Sequence, residues 1–162
     1  FLASLLLIGL YITIRFDSFY ALGSIVALLH DIAITLSVLI LFQYEISISI
    51  IAALLTIIGY SLNDTIVIYD RIRENIKLNP ENDKKEIAEK SLNITLNRTV
   101  ITSLTTLLVV AILFILGGNV LKPFSLTLII GIITGTYSSL FVATPIMLAL
   151  EKKYKLDDLE EI

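Results

Sequence analysis

Four ionisable residues stand where the surrounding hydropathy leaves no room for charge. His30 and Asp31 lie in the middle of the apolar stretch 20–42. Asp64 follows Asn63 near the end of the stretch 46–68, and Arg98 opens the stretch 99–116. A charged side chain at the centre of a bilayer costs about 2.5–3.5 kcal/mol on insertion scales, and by default it marks an ion pathway or a buried pair. Asp64 is the hardest to dismiss, because a carboxylate has a short stem and cannot reach far toward water. It lies about 9 Å along a helix from Asp70, where the cytoplasmic charges begin. Arg98, Thr102 and Thr106 are spaced four apart and share one helix face. Burial opposes the charged form of a carboxylate, and a neighbouring arginine favours it. Arginine keeps its charge and so serves as a fixed counter-charge. Thr102 lies one helical turn beyond Arg98 on that face. Plainer readings stand beside this one. Span hydroxyls commonly bond their own helix carbonyls, Arg98 can snorkel to the inner surface, and His30–Asp31 can be a locally satisfied polar pair.

The elements that must position these groups follow from composition. The chain has 162 residues, 56% hydrophobic and 17% charged, with a mean hydropathy of +0.89. A soluble domain is about 45–50% apolar and about 25% charged. The apolar residues come in continuous runs, not in alternation, which points to helices and excludes a transmembrane barrel. There is no cysteine, so thiolate catalysis and thiolate metal sites are absent. A net charge of −3 gives no footprint for nucleic acid. A bilayer core needs about 20 apolar residues of helix. Five spans are expected, over 1–14, 20–42, 46–68, 99–116 and 124–150, with tight turns at 15–19, 43–45 and 117–123. The first run is already under way at Phe1, without a basic n-region or a cleavage site, so a longer protein with an upstream segment is expected. The long polar connection 69–98 is expected to hold a surface helix over 80–97, capped by Asn79 with Pro80 at its first position. Residues 151–162 form a tail. The fold class is an all-α, polytopic membrane helix bundle.

Charge sets the expected orientation. Eleven of the twelve basic residues, including Arg15, Arg71, Lys84, Arg98 and Lys152, Lys153 and Lys155 of the tail, fall on one side, and Lys122 alone falls on the other. By the positive-inside rule the first side is cytoplasmic, so the polar connection and the C-terminus lie inside. In the last span Gly131, Gly135 and Ser139 form a small-residue row that permits close helix packing.

The stretch Gly59-Tyr60-Ser61-Leu62-Asn63-Asp64-Thr65-Ile66-Val67-Ile68-Tyr69-Asp70-Arg71-Ile72-Arg73-Glu74-Asn75 resembles the signature of the SecF family, the smaller subunit of the SecD/SecF protein-export accessory. The resemblance continues in Leu28-Leu29-His30-Asp31, in Leu96-Asn97-Arg98-Thr99-Val100-Ile101-Thr102-Ser103, in Leu116-Gly117-Gly118 and in Gly135-Thr136-Tyr137-Ser138-Ser139. It covers essentially the whole chain. It implies a member of the resistance–nodulation–division superfamily in the bacterial or archaeal cytoplasmic membrane. This would be five spans of an expected six, forming half of a pseudo-two-fold pair with a SecD-like subunit or a fused SecD half. An extracytoplasmic domain would precede the present segment. The implied function is not enzymatic: it is use of the proton-motive force to assist late steps of preprotein export through the SecYEG channel. The family's proton pathway maps onto Asp64, Arg98 and Thr102. Apart from the resemblance, the polar residues His30, Asp31 and Asn63 within the spans are read as a secondary polar site. No cofactor or metal is expected beyond the coupling ion, a proton, with sodium as the alternative.

Three other readings share some of these features. A different superfamily exporter of lipid or small molecules would keep the intramembrane charges but not the Asp70-Arg71-Ile72-Arg73-Glu74-Asn75 stretch. An intramembrane aspartyl protease would use Asp31 and Asp64 as a dyad, but Ser61-Leu62-Asn63 precedes Asp64 where such enzymes carry Gly-x-Gly. A purely structural anchor would tolerate Asp64→Asn.

Overall fold

The structure is a computed structural model that describes residues 2–160, with side chains described from 6 to 152. Phe1, the side chains of Lys153 and Lys155, and the last two residues of the expected tail lie outside the described residues. The regular structure is helical throughout: α1 (Leu2–Arg15), α2 (Ser18–Leu41), α3 (Ile48–Leu78), α4 (Lys84–Leu116), α5 (Gly118–Ser138), a π-helical segment (Ser139–Ala143) and α6 (Thr144–Glu160). Four helical stretches are long and apolar enough to cross a membrane: α2, α3, α4 and the continuous stretch from α5 into α6. The helix α1 is apolar but shorter. The chain is a polytopic helix bundle.

Several boundaries differ from the sequence expectation, each for a local reason. The helix α3 does not stop near Ile68 but runs on to Leu78. No breaker precedes Pro80, and Arg71 Nη1 donates to Glu74 Oε2 at 2.6 Å along the exposed face. The residue before a proline disfavours the helical region, so Asn79 ends α3 instead of starting the next helix. Its backbone N–H bonds the Asn75 carbonyl. The cap of α4 is therefore Asp83, not Asn79: its carboxylate accepts from the Lys85 N–H at 3.4 Å and places a negative charge at the positive end of the helix. The expected surface helix and the fourth span form one helix of 33 residues, because neither glycine nor proline interrupts Lys84–Leu116. At 1.5 Å per residue it is about 50 Å long. The turn expected over 117–123 shrinks to the Gly117–Gly118 junction, where Gly118 takes a φ of 69° that a side chain would resist. Pro123 consequently lies inside α5.

The hub of the bundle is α5, which packs against α2, α3 and α4. The small-residue row makes this possible. A Cβ on Gly131 would run into the Ile57 side chain of α3, and one on Gly135 would sit 3.1 Å from Ser61 Cβ. Gly131 and Gly135 thus pack inside the chain, against α3.

Two apolar clusters fill the bundle. One, near the Arg15 end, includes Ile12, Phe16, Leu28, Tyr69 and Met147. The other, nearer the α2–α3 hairpin, includes Leu39, Ile50, Ile57, Val110 and Ile132. Buried polar groups gather where the two clusters meet: Asp31, Ser61, Asp64, Ser103, Ser138 and Ser139. The π segment lies at this level. A π turn misaligns backbone carbonyls from their usual donors, and such turns gather at functional sites. Here the Tyr69 hydroxyl donates to the Ala143 carbonyl at 3.0 Å. A Cβ on Gly23 of α2 would stand 2.6 Å from that hydroxyl and 2.8 Å from that carbonyl. Three helices are therefore pinned at one point that tolerates no extra carbon.

At the Arg15 end the charges pair. Arg15 bridges to Asp70 at 3.1 Å, Arg73 donates to the Arg15 carbonyl at 2.9 Å, and Lys84 bridges to Glu151. The buried Asn75 amide donates to Ser91 Oγ at 2.8 Å, fastening α3 to the start of α4.

Candidate functional site

Asp64 faces the interior of the bundle from α3 and is 4% exposed. Among the described residues its buried Oδ2 has no hydrogen-bond partner. Leaving a charged or polar group in that state costs about 1–3 kcal/mol or more. Arg98 is the charged group that acts on this carboxylate through space. The two do not form a contact pair: among the described residues no basic nitrogen lies within 4.0 Å of Asp64. Arg98 is exposed on α4. The next residue, Thr99, turns inward and is 1% exposed, and its Oγ1 also lacks a partner among the described residues. Two packed helices, α3 and α4, therefore each carry a buried polar atom without a bond.

Thr102 does not reach Asp64. Its hydroxyl donates to the Arg98 carbonyl at 2.8 Å, and Thr106 likewise donates to the Thr102 carbonyl at 2.9 Å. This is the ordinary behaviour of a span hydroxyl. It ties Thr102 to the backbone turn that carries Arg98. Asn63 is exposed, one residue and about 100° around the helix from Asp64. Arg98 thus acts on Asp64 through space, Thr102 is tied to the turn that carries Arg98, and Asn63 lies on the exposed face of α3.

A second polar centre stands one turn along α3. Asp31 of α2 is fully buried, at 0% exposure. Its Oδ2 accepts from Ser61 Oγ at 2.7 Å, and its Oδ1 lies 3.2 Å from Nδ1 of the half-buried His30. The Ser138 hydroxyl of α5 also faces it. Gly135 leaves the space: a Cβ there would stand 3.6 Å from Asp31 Oδ2. Sequence reasoning named Asp31 and His30 but not Ser61 or Ser138. Nothing in the linear sequence pairs Ser61 with Asp31, 30 residues earlier on another helix. Another missed contact crosses helices: Ser103 of α4 bonds Thr136 of α5 at 2.6 Å, where a bond to its own helix was the plain expectation.

This arrangement matches known proteins along nearly its whole length. The family model for the protein export membrane protein SecD/SecF, C-terminal, matches residues 1–153. The chain belongs to the SecD/SecF family of protein-export membrane proteins. The protein translocase subunit SecF of Rhodothermus marinus is 52% identical over 158 residues, which are 94% of this chain and 51% of that protein. The protein translocase subunit SecDF of Thermus thermophilus is 48% identical over 157 residues, 97% of this chain and 21% of that one. The chain therefore spans about half the length of the SecF relatives it matches. A crystal structure of SecDF in a super-membrane-facing form superposes with a TM-score of 0.92 at 46% identity, covering 99% of this chain and 22% of that one. A second SecDF crystal structure, of the translocon-associated membrane protein from Thermus thermophilus, gives 0.86 at 49% identity over 89% of this chain and 20% of that one. With such relatives and its apolar helices, this is part of a multi-pass bacterial membrane protein.

Proposed function

We propose that the chain is the membrane-embedded part of a SecF-type accessory subunit of the Sec translocase, a transport component and not an enzyme. It uses the proton-motive force to assist late steps of preprotein export through a SecYEG channel. The observation that carries this reading is Asp64: a buried carboxylate with an unpartnered oxygen, under the field of Arg98, in a chain of the SecD/SecF family. Binding and release of a proton there changes the charge inside a packed interface. Arg98 supplies the fixed positive field, and Thr102 orients the turn that carries it. The gradient is large enough for the task, since one charge crossing 100 mV is worth about 2.3 kcal/mol. That biases two packings that differ by a few kcal/mol. Sodium is the alternative coupling ion.

The surface supports a partner bundle. Asn63 and Arg98 are polar and exposed beside the Asp64 region, and polar groups facing hydrocarbon are costly. Only 17% of the apolar window of α4 is buried, against 39–50% for the other three long stretches. We assign the uncovered α3–α4 side to a SecD-like subunit or fused SecD half, related to this bundle by a pseudo-two-fold axis.

The test is export into inverted membrane vesicles that carry the full-length protein with its SecD half. Stimulation of export that disappears when an uncoupler collapses the gradient is the expected result. Stimulation of equal size with and without the gradient would contradict the proposal. The proposed orientation places the α3–α4 turn and the C-terminus in the cytoplasm. A cysteine introduced at Asn82, in a chain with no native cysteine, should then react with an impermeant thiol reagent only from the cytoplasmic side. Labelling from the outside alone would reverse the orientation.

A further inference from the structure

The Asp64 reading leaves a second buried carboxylate unused. Asp31 is more completely enclosed than Asp64, and it is bonded on both oxygens, by Ser61 and by His30. Among the described residues the groups that act on it are His30 from its own helix, Ser61 from α3 and Ser138 from α5. Neither α1, the π segment nor α6 contributes a charged group to it. Among the described residues its one charge-bearing neighbour is therefore an imidazole, whose two ring nitrogens can carry one proton or two. The His30 side chain is 31% exposed while that of Asp31 is 0% exposed. The imidazole thus connects the enclosed carboxylate with the surface of the bundle.

Position along α3 orders the two acids. Ser61, which holds Asp31, precedes Asp64 by three residues, a rise of about 4.5 Å toward the α2–α3 hairpin. Three residues along a helix also keep the two on neighbouring parts of one face. In the proposed orientation the hairpin end is the outer side. A proton moving inward would meet the Asp31 level first and the Asp64 level next.

We propose that His30 and Asp31 form a second proton-binding station, placed in series before Asp64 on the outer side of the pathway. This deepens the proton-pathway reading and rests on it for direction. In the loading step a doubly protonated His30 passes its Nδ1 proton to Asp31 Oδ1. An imidazolium–carboxylate pair becomes a neutral imidazole, with its hydrogen on Nε2, and a carboxylic acid. The Ser61 hydroxyl continues to donate to Oδ2 in both states. The next acceptor along α3 is Asp64, whose Oδ2 has no competing partner among the described residues. Because Ser61 and Ser138 belong to α3 and α5, the charge state of Asp31 is felt across the joint between the helix that carries Asp64 and the helix that leads into the π segment.

The experiment is infrared difference spectroscopy between acid and neutral pH, on the full-length protein with its SecD half in lipid. Two titrating carboxyl bands are expected from the membrane region. Asp31→Asn should remove one band and leave the band that Asp64→Asn removes. His30→Gln is the second variant. It leaves both acids in place and should displace the midpoint of the Asp31 band while the Asp64 band keeps its own. An Asp31→Asn spectrum with both bands intact, or a His30→Gln spectrum with neither midpoint moved, overturns the proposal. If Asp64→Asn leaves both bands while Asp31→Asn removes one, the station stands and it is the Asp64 reading that fails.

Discussion

Asp64→Asn should abolish the gradient-dependent part of export, by tenfold or more, while the protein still inserts and assembles. Asparagine keeps the shape of the side chain and offers an amide to the same buried space, so little packing is lost. What it cannot do is titrate. In the structure Oδ2 of Asp64 has no hydrogen-bond partner to lose, and no basic nitrogen touches the carboxylate among the described residues. A structural ion pair would behave differently. Removing one partner of a buried pair costs about 3–5 kcal/mol because the other charge is stranded, and such a variant would lose stability along with activity. The separation of the two readouts is the diagnostic. Export is measured in vesicles with and without uncoupler, and assembly is measured by co-purification with the SecD half.

Gly135→Leu should cause a large loss of stability. The first added carbon would stand 3.1 Å from Ser61 Cβ and 3.3 Å from Ser61 Oγ, with Asp31 Oδ2 at 3.6 Å. The rest of the leucine has nowhere to go but between α3 and α5. Overpacking of this kind costs about 1–3 kcal/mol. The displaced Ser61–Asp31 bond, a hydrogen bond to a charged or shared-proton group, adds about 1.5–3 kcal/mol. The sum is a large share of the about 5–15 kcal/mol that holds a typical domain together. Gly59→Ala is the control. It sits on exposed α3 surface with nothing within 4 Å of its added carbon, and alanine is the better helix former by about 1 kcal/mol. It should be neutral or stabilising in thermal unfolding of the purified protein, where Gly135→Leu lowers the midpoint strongly. Equal midpoints for the two variants would mean that α5 is not packed closely on α3.

Much of this architecture is legible in the residues because the bilayer imposes a simple rule. Continuous apolar runs gave the membrane class and the long helices, and the short stem of Asp64 marked it as a buried group that needs an explanation. The rest depends on competition that a linear reading does not weigh. Asn79 is a good cap in isolation, but Pro80 beside it ends one helix and Asp83 starts the next. Thr102 lies on the face of Arg98, yet its hydroxyl is consumed by the Arg98 carbonyl, the nearest acceptor at helical spacing. Neither glycine nor proline lies within the π segment Ser139–Ala143, and the nearby sign is Pro145, which cannot donate to the Phe141 carbonyl at helical spacing. The segment is held from outside by Tyr69, 74 residues earlier in the chain. The Gly131–Gly135 row announced close packing but not against what, and the structure assigns it to α3 of the same chain. Ser61 was hidden for the converse reason: a hydroxyl in a span is unremarkable until its acceptor, Asp31 on another helix, is known.

The central claim is that a proton enters and leaves at Asp64. Its most direct test is proton flux through proteoliposomes containing the full-length protein with its SecD half, read with an internal pH-sensitive dye under an imposed pH difference. The account predicts flux above the lipid background in the unaltered protein, and background flux alone in Asp64→Asn reconstituted at equal density. Flux that persists unchanged in Asp64→Asn would contradict it and return Asp64 to a structural role.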